Sequence, residues 1–233
     1  MIFLNIKITK FKTKNLMKKS KNLVLDKNVY LSLKKVLDIF SAFVALILIS
    51  PIFLPVIILI KFSSMGPIFF LHKRIRKKEK TFYCIKFRTM HPEANDILKN
   101  ILSRDEEIRR EYQETQKIKN DPRITNIGKF LRKTSLDEIP QLINVIRGEM
   151  SIVGPRPIIE EEKIRYGDTI SNVFSVNPGI TGLWQVSGRN NLTYKKRVEL
   201  DNLYVNNVNF FMDLRIMIRT IGVILFPGDR GAY

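Results

Sequence analysis

Twenty-two consecutive residues, Ile39 to Ile60 (IFSAFVALILISPIFLPVIILI), carry no formal charge, and no other feature limits the fold as much. A helix of that length covers roughly 33 Å, enough for the ~30 Å hydrocarbon core of a bilayer, so the stretch is expected to enter a membrane. Its interior and flanks decide whether it crosses. Ser50-Pro51 falls at the midpoint and Pro55 follows. A proline inside a helix removes one hydrogen bond and crowds the preceding turn, so a kink or break is expected there. Both flanks are positive, with Lys34 and Lys35 before the stretch and Lys61, Lys73, Arg74, Arg76, Lys77 and Lys78 after it. Basic flanks stay on the cytoplasmic side, and one straight crossing cannot satisfy both. We therefore expect a re-entrant hairpin over residues 36–62 that dips into one leaflet, bends at Ser50-Pro51 and returns to the same side.

Forty Lys+Arg against 22 Asp+Glu leave a net charge of +18, which calls for an anionic partner: nucleic acid, an anionic membrane surface or a phosphorylated substrate. Residues 1–35 hold ten lysines and one acidic residue, Asp26. Within this basic arm, Met1 to Asn28 is read as mobile and lying on anionic lipid, although a nucleic-acid tail has the same composition. Its apolar residues, among them Ile6, Ile8 and Phe11, are too scattered for a signal peptide. Cys84 is the only cysteine, which excludes an intrachain disulfide or cysteine-based metal cluster and fits a reducing compartment. His72 and His91 are the only histidines, which argues against a His-based triad or metal site. There is no P-loop, dinucleotide-binding glycine pattern or zinc spacing.

Beyond the apolar stretch, β-prone runs around Ile68 to Leu71 and Phe82 to Phe87 are expected to pair as a hairpin, with the basic segment Lys73 to Lys80 as its turn. From Pro92 to Glu114, apolar residues at helical spacing predict one or two amphipathic helices. NFFMDLRIMIRTIGVILF, from Asn209 to Phe226, is too interrupted by Asp213, Arg215 and Arg219 to span a bilayer. It reads equally as a core helix or as an amphipathic helix in the interface. The expected fold is mixed α/β, mainly helical with short strands, with a re-entrant membrane helix hairpin and interfacial amphipathic helices. Its parts are the arm (1–35), the membrane helix (36–62) and a folded domain (63–233).

Within that domain, TSLDEIPQL (Thr134 to Leu142) places two adjacent carboxylates, Asp137 and Glu138, among Arg132, Lys133, Arg147 and Arg156. Ser135 and Glu138 fit a capping box, a structural role. Pro140 fits only near a helix start and moves that start a residue or two later. The two roles are compatible, because a helix N-terminus also favours an ionised, attacking carboxylate. Prolines on both sides of Arg156 in GPRP fix the backbone where a planar guanidinium must be aimed. NPGITGLWQVSGRNN (Asn177 to Asn191) has three glycines that would let backbone approach a ligand, or simply form turns.

Several long motifs in a fixed order, KFRTM (Lys86 to Met90), DPRIT (Asp121 to Thr125), LRKTSLDEIPQL, GEMSIVGPRP, PGITGLWQVSGR and VELDNLYV (Val198 to Val205), resemble the bacterial sugar transferase family. These are monotopic polyprenyl-phosphate phosphoglycosyl transferases that initiate surface-glycan assembly. The resemblance covers roughly 200 residues, from about Leu33 to the Gly231-Ala232-Tyr233 ending. It implies transfer of a sugar 1-phosphate from a UDP-sugar to polyprenyl (undecaprenyl) phosphate with release of UMP. It also implies Mg2+ as cofactor and a covalent phosphosugar on the first carboxylate of the pair. Carried onto this chain, Asp137 is the nucleophile, and Glu138 assists with the metal or the acceptor. Lys86, Arg132, Arg156 and Arg189 bind substrate phosphate, and Asp201 supports them. The implied partners are the UDP-sugar, the polyprenyl phosphate and inner-leaflet lipid, with no nucleic acid. The implied location is the bacterial cytoplasmic membrane with the catalytic domain on its cytoplasmic face. The family's membrane helix is re-entrant and broken at a Ser-Pro pair, in agreement with the flank charges. Larger members carry extra spans and a domain ahead of this unit, so the N-terminus here resembles the minimal form, while the GAY ending and LWQVSGR resemble the larger galactose- or glucose-type enzymes.

Two other readings stay open from sequence. A membrane-anchored basic module that binds a polyanion without catalysis would explain the charge and the anchor, but not an Asp-Glu pair beside Arg132 and Arg156. A scaffold that has lost catalysis would not need the pair intact.

Overall fold

The computed structural model describes residues 26–115, 118–188 and 191–225. Most of the basic arm, the GAY ending and Arg189 lie outside the described residues.

A single helix, α1 (Lys27–Ser63), holds the whole uncharged stretch. Asp26 caps it, its carboxylate accepting the Asn28 amide at 2.8 Å. The helix therefore starts well ahead of residue 36, and residues 27–35, read from sequence as part of the arm, form its first turns. It continues through Pro51 and Pro55 with no break in the helical run, where sequence led us to expect two arms. The local chemistry accounts for this. Pro51 has no amide hydrogen for the Ile47 carbonyl, and the Ser50 hydroxyl supplies one instead at 2.8 Å.

Residues of α1 spaced about one turn apart dock on the rest of the chain at two places. Near its start, Tyr30, Lys34 and Ala42 are buried. Near its end, Val56 and Ile60 are buried with Phe87 and Leu131, and Phe53 meets Phe87 edge-on with ring centroids 5.2 Å apart. None of residues 43–52 belongs to a buried cluster, and Phe43, Ile47, Leu48 and Ile52 are exposed. The helix is long and apolar enough to cross a membrane, yet both ends pack on one folded unit. Arg88 closes its C-terminus, donating to the last carbonyls' neighbours Ser64 O (2.6 Å) and Met65 O (2.9 Å).

Strands β1 (Phe69–Arg76) and β2 (Lys80–Phe87) pair antiparallel with Phe70 opposite Lys86, His72 opposite Cys84 and Arg74 opposite Phe82. The hairpin was expected, but its turn is only Lys77–Glu79, not the whole of Lys73 to Lys80. Lys78 and Glu79 both take positive φ (60° and 57°), the tight geometry that matches strand twist. The basic residues before it stay in strand because Arg74 finds acceptors across the fold.

Helices α2 (Ala94–Arg104) and α3 (Glu106–Thr115) form the amphipathic pair expected from spacing. Then follow α4 (Asn126–Thr134), a 3-10 turn Leu136–Glu138, α5 (Gln141–Ile146) and strand β3 (Ser151–Val153). Two 3-10 turns (Glu160–Arg165 and Gly167–Thr169) and the short α6 (Ile170–Val173) lead to β4 (Gly179–Thr181), which pairs parallel with β3. Here the glycines of the GPRP and PGITG motifs are accounted for by packing: a Cβ on Gly179 would lie 2.1 Å from the Gly154 amide nitrogen. The chain ends in α7 (Tyr194–Asn207) and α8 (Phe210–Leu225).

On α8 the usual pattern is inverted. Asp213 and Ile216 are buried, whereas Phe210, Phe211, Leu214, Ile218 and Ile221 are exposed. Asp213 accepts from Tyr30 Oη (2.6 Å) and Tyr204 Oη (2.8 Å) and pairs with Lys34 Nζ (2.7 Å). The start of α1 is thereby tied to α7 and α8 through one buried carboxylate. Of the two readings for residues 209–226, the helix combines parts of both: a polar and apolar seam on the core, and an apolar face left uncovered.

Candidate active site

The carboxylate pair sits in the sharp reversal between α4 and α5. Ser135 ends α4 in the left-handed region (φ 58°) and makes no side-chain cap bond, so the capping box expected from sequence is not formed. The Ser135 conformation turns the chain too early for its hydroxyl to meet the third amide, and α5 starts only after Pro140. The later start anticipated from Pro140 is observed. A non-glycine residue in this region costs of order 1 kcal/mol and persists where the surroundings demand it. The turn it creates sends Asp137 inward and Glu138 toward β2.

Glu138 Oε1 meets Lys86 Nζ of β2 at 2.7 Å. Asp137 is buried. Burial, helped by the charge of Glu138, pushes its carboxyl up to about 6, against the pull of Lys86 and Arg132. Arg132 is held by Thr89, whose hydroxyl accepts from Nε at 2.9 Å. The close seating of α4 fixes that contact, for a Cβ on Gly128 would lie 2.0 Å from the Thr89 carbonyl oxygen.

Asn144 sets the distance between the carboxylates and β2. It is fully buried on α5, accepts the Ile85 amide (3.0 Å), and donates to Tyr83 O (2.8 Å) and Glu149 Oε2 (2.7 Å). Asn144→Ala strands the buried Ile85 amide and leaves two part-buried acceptors without this donor, and it is expected to cost about 2 kcal/mol of stability. Chemical denaturation of the purified protein checks this. A loss under about 0.5 kcal/mol, typical of surface positions, would show that water replaces the side chain.

Arg156 leaves the β3 turn and lies over the Trp184 ring at 5.9 Å, with Arg197 at 4.9 Å from the same ring. Arg74, Lys86, Glu138, Gln141, Arg156 and Gln185 line one cleft. Structure thus brings together Lys86, Arg132, Asp137, Glu138 and Arg156. Arg189 lies outside the described residues. Sequence reasoning missed Arg74, because its segment was taken as a turn. Read as strand, alternation puts Arg74, His72 and Phe70 on the same hairpin face as Lys86.

Asp201 stands behind Arg156, fully buried on α7, and accepts from Tyr166 Oη at 3.0 Å. Its Oδ1 and the Trp184 indole nitrogen are both buried without a hydrogen bond of normal geometry. Burial pushes the Asp201 carboxyl up to about 7, although Tyr166, Arg156 and the Trp184 indole pull it down. It supports the cleft from within and does not line it. A raised pKa means stability that is fully present below the unfolded value near 3.8 is lost as pH rises through about 7. The melting temperature of Asp201→Asn relative to wild type is therefore expected to climb between pH 5 and pH 8. A difference that stays flat would mean the carboxyl is ionised throughout.

A family model described as bacterial sugar transferase matches residues 29–227. The chain belongs to the bacterial sugar transferase family. This sugar transferase is 44% identical over 200 residues to the exopolysaccharide production protein ExoY of Rhizobium meliloti, covering 86% of the chain and 88% of that protein. It is 44% identical over 193 residues to the undecaprenyl-phosphate galactose phosphotransferase of Salmonella typhimurium, covering 83% of the chain but 40% of the relative. Over 196 residues it is 37% identical to the UDP-glucose:undecaprenyl-phosphate glucose-1-phosphate transferase of Klebsiella pneumoniae, covering 81% of the chain and 39% of the relative. The chain therefore spans most of ExoY and less than half of the larger transferases.

Proposed function

We propose that this sugar transferase moves a sugar 1-phosphate from a UDP-sugar to undecaprenyl phosphate, releasing UMP, as the first membrane step of surface polysaccharide or glycoconjugate synthesis. The observation that carries the reading is the buried Asp137 with the charge of Arg132 acting on it, beside a Glu138 that lines one cleft with Lys86 and Arg156. The names of relatives that share these motifs supply the substrate class.

In the first displacement an Asp137 carboxylate oxygen attacks the sugar-side phosphorus of the UDP-sugar. The bond from that phosphorus to the bridging oxygen breaks, and UMP leaves with the electron pair. In the second, a phosphate oxygen of the lipid attacks the same phosphorus. The acyl phosphate bond breaks, the carboxylate is regenerated and a polyprenyl diphosphate sugar results. Splitting the transfer in two lets one site serve a soluble donor and a lipid acceptor in turn. Lys86, Arg132 and Arg156 neutralise the phosphate oxygens as charge shifts.

Asp137 and Glu138 would hold Mg2+. No group of three or more His, Cys, Asp or Glu side chains suited to a metal gathers among the described residues. A pair of carboxylates completed by substrate phosphates is the donor set magnesium favours. When bound, the ion supplies further neutralisation of the diphosphate.

A substrate with a polyprenyl tail stays in the bilayer, so the site must lie at the interface. In our reading α1 enters one leaflet with both ends on the cytoplasmic face, and the uncovered apolar face of α8 rests in the interface. The two-ended docking of α1 and the exposed Phe211, Leu214, Ile218 and Ile221 support this. The basic arm adds attraction to anionic lipid.

UMP release by membranes containing the protein, supplied with undecaprenyl phosphate, magnesium and a panel of UDP-sugars, tests the function. Release that requires lipid and metal and favours one sugar is expected. No release from any donor by folded, membrane-bound protein would overturn the reading and favour the binding module.

A further inference from the structure

Arg74 is the cation of the cleft that neither the motifs nor the reaction described above employs. Its side chain is only 12% exposed and is held from two sides. Nη1 donates to the Pro157 carbonyl at 3.1 Å and reaches Glu162 Oε2 at 3.5 Å, the outer limit of a hydrogen bond, while Nη2 faces His72 Nδ1 at 3.2 Å. Pro157 follows Arg156 directly, so the carbonyl that pins Arg74 belongs to the same rigid Pro-Arg-Pro turn that aims Arg156. Both guanidinium groups line the cleft with Lys86 and Glu138.

That arrangement is costly for a protein without an anion in the cleft. Three cations line it against one carboxylate, Glu138, which is already paired with Lys86. Burial and the charge of Arg156 both pull the Arg74 pKa down, and Glu162 and Glu138 only partly offset them. His72, held down to about 4 by burial and then by Arg74, Lys86 and Arg156, is neutral at physiological pH and can accept from Arg74. Two arginines fixed by backbone on one short turn make a fork for two edges of one phosphate group.

The cleft also has a direction. The chief charged neighbours of Asp137 are Glu138, Lys86 and Arg132, whereas those of Arg74 begin with Arg156 and Glu162. Lys86 and Glu138, paired at 2.7 Å, line the same cleft as Arg74 and Arg156, and Glu138 follows Asp137 directly in the chain. A diphosphate lying in this cleft would reach from the Lys86–Glu138 pair, next to Asp137 in the chain, toward the two arginines.

We propose that Arg74 pairs with Arg156 to bind the phosphate of the departing nucleoside monophosphate, while Lys86 and Arg132 bind the phosphoryl group that Asp137 receives. The assignment rests on the phosphoglycosyl transfer proposed above. Arg74 would then carry part of the negative charge that builds on the leaving phosphate as the bridging bond breaks.

The test is direct binding of UMP, uridine and inorganic pyrophosphate to the detergent-solubilised full chain with magnesium, alongside turnover with UDP-sugars. Arg74→Gln is expected to weaken UMP and pyrophosphate binding roughly ten- to hundredfold, the worth of a charge-assisted hydrogen bond, and to leave uridine binding as it was. Arg74→Lys, which keeps the charge but loses the fork, is expected to fall between. Glu162→Gln removes the countercharge yet retains an acceptor for the Ile159 amide, so it is expected to hold or tighten pyrophosphate binding, whereas a purely structural tie through Arg74 would be weakened by it. UMP and pyrophosphate affinities unchanged in Arg74→Gln, with wild type turning over UDP-sugars, would overturn the proposal and leave the reaction standing. Pyrophosphate affinity lost in folded Arg74→Gln, with no turnover of any UDP-sugar by wild type, would keep the anion pair and discard the reaction.

Discussion

Replacing Asp137 with asparagine is expected to reduce UMP release at least roughly 10³-fold, the scale of loss seen when a covalent nucleophile is removed. The fold should survive the change. Asparagine has nearly the same shape, and burial already works against a charge at this position, so the amide loses nothing that packing requires. The variant's melting temperature should match or exceed that of wild type. Activity lost with stability kept assigns a chemical role to Asp137. A variant that releases UMP within about tenfold of wild type would move the nucleophile elsewhere, and Glu138, turned toward Lys86, would be the next residue to replace.

Asp213→Leu is expected to be the most damaging single change for stability. Its carboxylate takes two tyrosine hydroxyls and the Lys34 ammonium in a seam with almost no solvent access. Removing one partner of a buried pair strands the other, at about 3–5 kcal/mol. Asp38, 3.3 Å from Lys34, retains part of the attraction, so about 3 kcal/mol is the better figure. For a chain of this size that is a fall in melting temperature of roughly 6–12 °C. The double variant Lys34→Met/Asp213→Leu should recover part of the loss, because the stranded ammonium is gone while Asp38, deprived of Lys34, keeps the Ser151 hydroxyl. Equal instability of the single and double variants would place the damage in the tyrosine contacts. Either way the start of α1 loosens from α8, and the exposed apolar surfaces of the two helices cease to be held at one angle.

Sequence carried the long-range plan of this molecule well. An uncharged run with positive flanks marked α1, β-prone runs marked the hairpin, and the motif order marked both the family and the cluster of Lys86, Arg132, Asp137, Glu138 and Arg156. What it concealed was set partly by local hydroxyl and backbone geometry and partly by contacts far apart in the chain. Ser50-Pro51 reads as a break, yet one hydroxyl bonded to Ile47 O keeps the helical run intact. Ser135 reads as a cap, and a positive φ that no pattern announces makes it a reversal instead. Arg74 reads as a loop charge until the Pro157 carbonyl, eighty-three residues later, gives it a partner in strand. Asp213 reads as an interruption of an apolar helix, and only the fold shows that Tyr30, Lys34 and Tyr204 converge on it.

A phosphosugar carried on Asp137 is tested most directly by supplying the donor without the acceptor. Purified protein is mixed with magnesium and its preferred UDP-sugar in the absence of undecaprenyl phosphate, and UMP release and intact mass are followed together. Covalent transfer requires a burst of up to one UMP per protein, a mass increase of one sugar phosphate localised to the peptide containing Asp137, and loss of that increase when the lipid phosphate is added. Full turnover with lipid, but neither burst nor adduct without it, would contradict the covalent route and require direct transfer between the two substrates.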